Sequence, residues 1–220
     1  MSEFIQPYAE YGAEWLPLLL KAMRMTALLS VSAFALSLVL GLLLALCRTA
    51  RSGMLRRFVA LYVAVVRGVP LLAILFLLYF GLPGIGITFD AFTGAVLGLA
   101  LAFAAQVAEL FRAGLLAIPK GQREAALAVG FTPAQSFTLI VLPQVIRVIT
   151  APLIVTFVSL LKDSSLASLI TVNELVLTGR AMATEYFLPL QIYLAVGLCY
   201  FLIAWPFSLL SRRLAPPAIR

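Results

Sequence analysis

Histidine is absent from the 220 residues, and cysteine occurs only twice. The first absence excludes histidine-based metal sites and histidine-dependent catalytic triads. The second excludes a disulfide or zinc framework: Cys47 and Cys199 are far apart in apolar surroundings, with no CxxC or Cys/His cluster, and read as small buried hydrophobes. Charge is scarce too, at 11% of residues against roughly 25% in soluble domains. There is no GxxxxGK(S/T) loop, so the chain has no visible nucleotide site of its own. Met1 to Glu14 holds Glu3, Glu10 and Glu14 but no Lys or Arg, the wrong start for a cleavable signal peptide, so the first span is expected to stay in the mature protein.

What the chain has in quantity is apolar sequence, 63% of all residues. A helix needs about 20 such residues to cross roughly 30 Å of hydrocarbon. Five runs qualify, at 26–47, 58–80, 89–108, 148–172 and 187–210. The predicted fold is therefore an all-α membrane protein with five transmembrane helices. Leu16 to Met25, interrupted by Lys21 and Arg24, reads as an amphipathic lead-in at the interface. The fourth run has to extend to Val172, because its charge-free part, Val148 to Leu161, would reach only about 21 Å as a helix. Lys162-Asp163-Ser164-Ser165 then falls at membrane depth. Ala215 to Arg220 reads as a short unstructured tail.

The formal charge of +7 sits between the apolar runs and forms no stripe, which points away from a nucleic-acid partner. Arg48, Arg51, Arg56, Arg57, Lys120, Arg123, Arg147, Arg212 and Arg213 share one side. Asp90, Glu174 and Glu185 lie on the other, with only Arg180. Basic loops remain in the cytoplasm, so the N-terminus is predicted outside and the C-terminus inside. Glu109, Asp163 and Glu174 are scattered, and no nucleophile, base and orienting group recur at a useful spacing, so the chain does not read as an enzyme.

The longest stretch of mixed polarity is the predicted cytoplasmic loop at 117–147. Gly121 is expected to break the preceding helix, Gln122 to Val129 to form a short helix, and Gly130 to cap it in a left-handed conformation. Thr132-Pro133 opens a second segment, and Pro143 is expected to break the chain before span four. By itself this is an interfacial helical hairpin or a docking element for a cytoplasmic partner. Arg67, nine residues into its span, either snorkels or belongs to a gate, since Gly68 and Pro70 would bend the helix beside it. A charge at membrane depth costs about 2.5 to 3.5 kcal/mol, so Lys162 and Asp163 need compensation. A structural ion pair, a helix end at the outer interface, or a substrate facing Asp163 with hydroxyls from Ser164 and Ser165 would each supply it.

Glu124-Ala125-Ala126, then Gly130, then Ile140-Val141-Leu142-Pro143 resembles the EAA loop of ABC importer permeases. Arg67-Gly68-Val69-Pro70-Leu71-Leu72 and Ser159 to Leu166 resemble the polar amino-acid uptake branch of the same family, and the similarity covers residues 15–214. The resemblance implies a permease subunit of an ATP-driven importer for a polar amino acid, in the bacterial cytoplasmic membrane. A self-sufficient channel or ion-driven carrier, and an importer of another small polar solute such as an opine, are the alternatives. It implies that Glu124, Ala125, Ala126 and Gly130 couple to the ATPase and that Asp163, Ser164, Ser165, Thr156 and Gln106 lie along the substrate pathway. Two ATP-binding cassette subunits, a second permease and an extracytoplasmic solute-binding protein are the implied partners. ATP and Mg would be used by the ATPase, with no cofactor or metal bound by this chain. Members suited to basic amino acids often carry Asn-Glu where this chain has Val155 and Thr156, and the missing carboxylate argues against arginine, lysine or histidine as substrate; the family commonly has Tyr where this chain has Gln106, a second departure that bears on specificity.

Overall fold

The computed structural model describes residues 2–49 and 52–215. Arg51, counted above among the basic loop charges, and the tail from Pro216 to Arg220 lie outside the described residues. Every regular element among the described residues is helical. Four helices are long and apolar enough to cross a membrane, and five if one bent pair counts as a single span. That agrees with the five apolar runs.

The first run is part of something longer. Helix α1 (Ser2–Thr49) has 48 residues and takes in both the span and its lead-in, so Leu16 to Met25 is not a separate interfacial segment. Its length is about 70 Å at 1.5 Å per residue, more than twice what the hydrocarbon requires.

The second run is broken. Helix α2 (Gly53–Gly68) stops where Val69, the residue before a proline, takes an extended conformation with φ −99° and ψ 133°. Pro70 caps α3 (Leu71–Phe76), which continues through a π-helical turn at Leu77–Gly81 and a 3-10 turn at Leu82–Ile85. The two halves meet at 106°.

Helix α4 (Ala91–Ala117) begins at Asp90, whose carboxylate accepts the Thr93 N–H at 3.1 Å. It ends nine residues beyond the expected Ala108, because Glu109 and Arg112 are paired charges within the helix and not its stop signal. The break comes at Ile118-Pro119, not at Gly121, and α5 (Lys120–Ala128) includes that glycine. A three-residue helix α6 (Pro133–Gln135), opened by a Thr132/Gln135 capping box, runs through a π-helical turn at Ser136–Val141 into α7 (Leu142–Asp163). Pro143 therefore does not break the chain, and the apolar helical run extends over Pro133–Ile170. The Leu142 N–H reaches back five residues to the Phe137 carbonyl, and this wider turn relieves the clash of a proline ring with the preceding turn.

After Asp163 the chain tightens into a 3-10 stretch, Ser164–Ile170, and turns at Thr171 with φ 67°. Helix α8 (Leu175–Tyr186) comes next, in a stretch that the apolar runs leave as outer loop, and Phe187 with φ 55° leads into α9 (Pro189–Leu214).

Helix α1 packs along α4, α7 lies against both α4 and α9, and α8 packs on α9. The central core holds Leu29, Leu75, Leu99, Phe103, Leu160 and Ile170. Cys199 is buried as expected, whereas Cys47 is only half-buried.

Candidate functional site

The elbow between α2 and α3 opens a cavity of about 430 Å³ against the middle of α4 and the C-terminal third of α7. Val66, Arg67, Val69 and Leu71 form its broken wall, and Phe103, Gln106, Glu109, Thr156 and Asp163 face them from α4 and α7. Three of the five residues assigned to the substrate pathway from sequence, Gln106, Thr156 and Asp163, therefore share one cavity with Arg67. Gln106 is exposed within the otherwise buried stretch Phe103 to Ala108, because it stands over this space.

Ser164 and Ser165 stand apart from the lining. Ser164 is fully buried, and its hydroxyl donates to the Leu161 carbonyl at 2.8 Å and lies 3.4 Å from the Ser30 hydroxyl. Ser165 is half-buried, and its carbonyl accepts the Ser168 hydroxyl at 2.7 Å. The Thr156 hydroxyl donates to the Pro152 carbonyl at 3.0 Å.

The electrostatics of the cavity are lopsided. Glu109 is held by two arginines, Arg48 from α1 and Arg112 one turn along, the latter with Nε 2.8 Å from Oε2. Neither Arg67 nor Asp163 has an ion-pair partner among the described residues. One unpaired cation and one unpaired carboxylate thus face a common space whose remaining polar groups are the neutral Gln106 and Thr156 and the already paired Glu109. Arg67 and Glu109 also line a second cavity, with Arg48, Ala60, Ala64 and Gly68. Pro70 itself lines neither cavity; it shapes the elbow.

At the other candidate position, α5 presents Glu124 and Ala125 to solvent while Ala126 is 6% exposed. The Phe131 N–H returns to the Ala126 carbonyl at 3.1 Å across Gly130, whose φ of 91° is the left-handed value expected of the cap. Leu127 and Val129 leave apolar side chains 40% and 75% exposed beside it. Gln144 of α7 reaches Gln122 at 3.3 Å and ties this short helix to the long one.

The model of the family of binding-protein-dependent transport system inner membrane components matches residues 37–219. The chain belongs to that family. It is 41% identical over 86% of its length to a probable amino-acid ABC transporter permease protein, YckA, of Bacillus subtilis, covering 84% of that protein. It is 35% identical to the probable glutamine ABC transporter permease GlnP of the same organism, over 93% of this chain and 95% of that one. The crystal structure of an amino acid ABC transporter with histidines superposes with a TM-score of 0.85 at 32% identity, over 91% of this chain and 94% of that one. The permease is accordingly a multi-pass membrane protein and not an enzyme, since ATP hydrolysis in this family belongs to a separate subunit. Membership implies an ATPase and a substrate-binding partner, and sets aside a self-sufficient channel or ion-driven carrier.

Two features of the permease are not visible in its sequence. Glu109 joins α4 to α1 through Arg48, which lies 61 residues away, and only its i,i+3 spacing to Arg112 can be read from the chain. Glu174, expected on the outer loop, is fully buried, accepting the Tyr200 hydroxyl at 2.6 Å and the Leu177 N–H at 2.8 Å.

Proposed function

We propose that this permease forms half of the translocation pathway of an importer for a polar amino acid with an uncharged side chain, in the bacterial cytoplasmic membrane. The observation that carries the reading is the pair of unpaired opposite charges, Arg67 and Asp163, on one cavity. A zwitterion presents a carboxylate and an ammonium, and each charged wall would replace hydration that the substrate loses inside. The neutral Gln106 and Thr156 leave no further unpaired carboxylate for a cationic side chain. The names of relatives agree in class: glutamine for one, and L-cystine for another of 36% identity over 89% of the chain.

In this reading the N-terminus is outside and the C-terminus cytoplasmic, on the basic-loop argument. A second permease, identical or homologous, completes the path, and an extracytoplasmic solute-binding protein delivers the substrate. Glu124, Ala125, Ala126 and Gly130 seat α5 on the ATPase, which is present in two copies and consumes ATP with Mg. Closure of the ATPase pair moves α5, and α7 moves with it through the Gln122–Gln144 contact and the continuous helical run. The elbow at Gly68 to Pro70 is the joint at which the pathway wall moves. Binding energy biases a two-state equilibrium between outward and inward openings.

Asp163→Asn keeps the shape and removes the charge. In proteoliposomes its uptake is expected to fall by about tenfold or more, the value of a hydrogen bond to a charged group. Uptake equal to wild type would remove Asp163 from the pathway.

A further inference from the structure

Asp163 is the last residue of α7, and the chain runs directly from it into a 3-10 stretch, a form whose hydrogen bonds are poorly aligned and which rarely stands without support. Its support comes from two ends. At the near end Ser164 is fully buried against Ser30 of α1. At the far end the Leu175 N–H donates to the Thr26 hydroxyl at 3.1 Å. Ser30 in turn donates to the Thr26 carbonyl at 2.7 Å. One buried turn of α1, Thr26 to Ser30, thus touches both ends of the segment that begins beside Asp163.

Glu174 closes the far end. It caps α8 by accepting the Leu177 N–H, and it holds Tyr200 of α9 by the shortest side-chain hydrogen bond of this group. A fully buried carboxylate with no ion-pair partner among the described residues is costly unless several donors converge on it. Here the donors come from two elements, α8 and α9, so the group locks their relative position. Between the two anchors the segment buries Ala167 and Ile170 in the central core, and the Thr171 hydroxyl at its end lies 3.4 Å from the Tyr79 hydroxyl on the far half of the broken span.

We propose that Thr26, Glu174 and Tyr200 are positioning residues: a two-ended clamp, built from hydrogen bonds to α1, α8 and α9, that fixes where Asp163 stands on the cavity wall. The inference rests on the pathway reading of Asp163. Glutamine keeps an Oε1 acceptor for the Leu177 N–H and reverses the second bond, its amide N–H donating to the Tyr200 hydroxyl oxygen, so it retains both links, whereas alanine retains neither.

The test uses the permease assembled with its ATPase and its binding protein, with glutamine as the first substrate probe and L-cystine as the second. Tyr200→Phe, Thr26→Val and Glu174→Ala are expected to raise the substrate concentration for half-maximal uptake by about fivefold each, the effect of a lost buried hydrogen bond, with basal ATP hydrolysis within about twofold of wild type. Glu174→Gln is expected to restore most of the loss. Combined with Asp163→Asn, Tyr200→Phe should add nothing further, because it acts through that carboxylate. Independent, multiplying effects of Asp163→Asn and Tyr200→Phe would overturn the clamp while leaving Asp163 in the pathway. An Asp163→Asn variant with wild-type uptake would overturn both. Tyr200→Phe preserves packing volume, and recovery of the intact complex separates a shifted clamp from a failure to fold.

Discussion

Glu124→Lys and Gly130→Asp, each in the permease purified with its ATPase, are expected to lower transport-coupled ATP hydrolysis by at least about tenfold, as a misplaced charge does in a specific interface. The two changes act differently. Glu124 is exposed on α5, so its reversal leaves the fold of the permease intact and alters only what a partner meets. Gly130 has φ 91° with nothing within 4 Å of the place where a Cβ would go, so space is not the obstacle there. The left-handed backbone is, at about 1 to 2 kcal/mol for an L-residue. A rearranged cap would swing Leu127 and Val129, the exposed apolar residues beside it, off their present face. Hydrolysis and transport measured on the co-purified complex decide the matter. Normal assembly and coupled hydrolysis in both variants would sink the docking role of α5.

The second large effect is steric. A Cβ at Gly41 would come 2.5 Å from Val107 Cγ1 and 3.0 Å from the Ala104 carbonyl oxygen, and the latter is backbone that cannot rotate away. Gly41→Leu is therefore expected to separate α1 from α4 and cost about 1 to 3 kcal/mol or more, the range for overpacked cores. Small residues at helix crossings in lipid permit this close approach, and dispersion across it replaces the missing hydrophobic drive. Gly197→Leu in α9, where nothing lies within 4 Å, is the matched control and should be near neutral. The thermal midpoint of the detergent-solubilised complex provides the comparison. Equal midpoints for the two variants would contradict the packing account.

The apolar runs locate the spans because length against bilayer thickness is a strong constraint, and α5 is legible because Gly130 can do what other residues resist. The α2–α3 bend is half legible: Gly68 and Pro70 announce a weakness, but the 106° angle depends on what packs against the two halves. Helix α8 is not legible at all. Its start, Glu174, is a polar residue that reads as a loop charge until Tyr200, 26 residues on, supplies a donor. The same holds within the site. Gln106, Thr156 and Asp163 stand out through their family resemblance, but Ser164 looks like a pathway hydroxyl in sequence and is instead turned inward to α1 by Ser30. Runs that are apolar on every face carry no signal of which face meets lipid, cavity or neighbour. Pro143 misleads for a related reason, since the π-helical turn that accommodates it depends on packing rather than on local composition.

Helix α1 has no proline between Thr26 and Arg48, although Pro7 and Pro17 lie within its earlier part. Over those 22 intervals it spans about 33 Å, packed along α4, with Thr26, Gly41 and Arg48 among its contacts. A continuous helix packed along its length carries a displacement at one end to the other. A tilt of about 5° moves its two ends in opposite senses by one to two ångströms each, about the size of the helix shifts by which coupled sites communicate. The Arg48–Glu109 pair at one end and the Thr26 contacts at the other would then shift together, because one unbroken helix carries both.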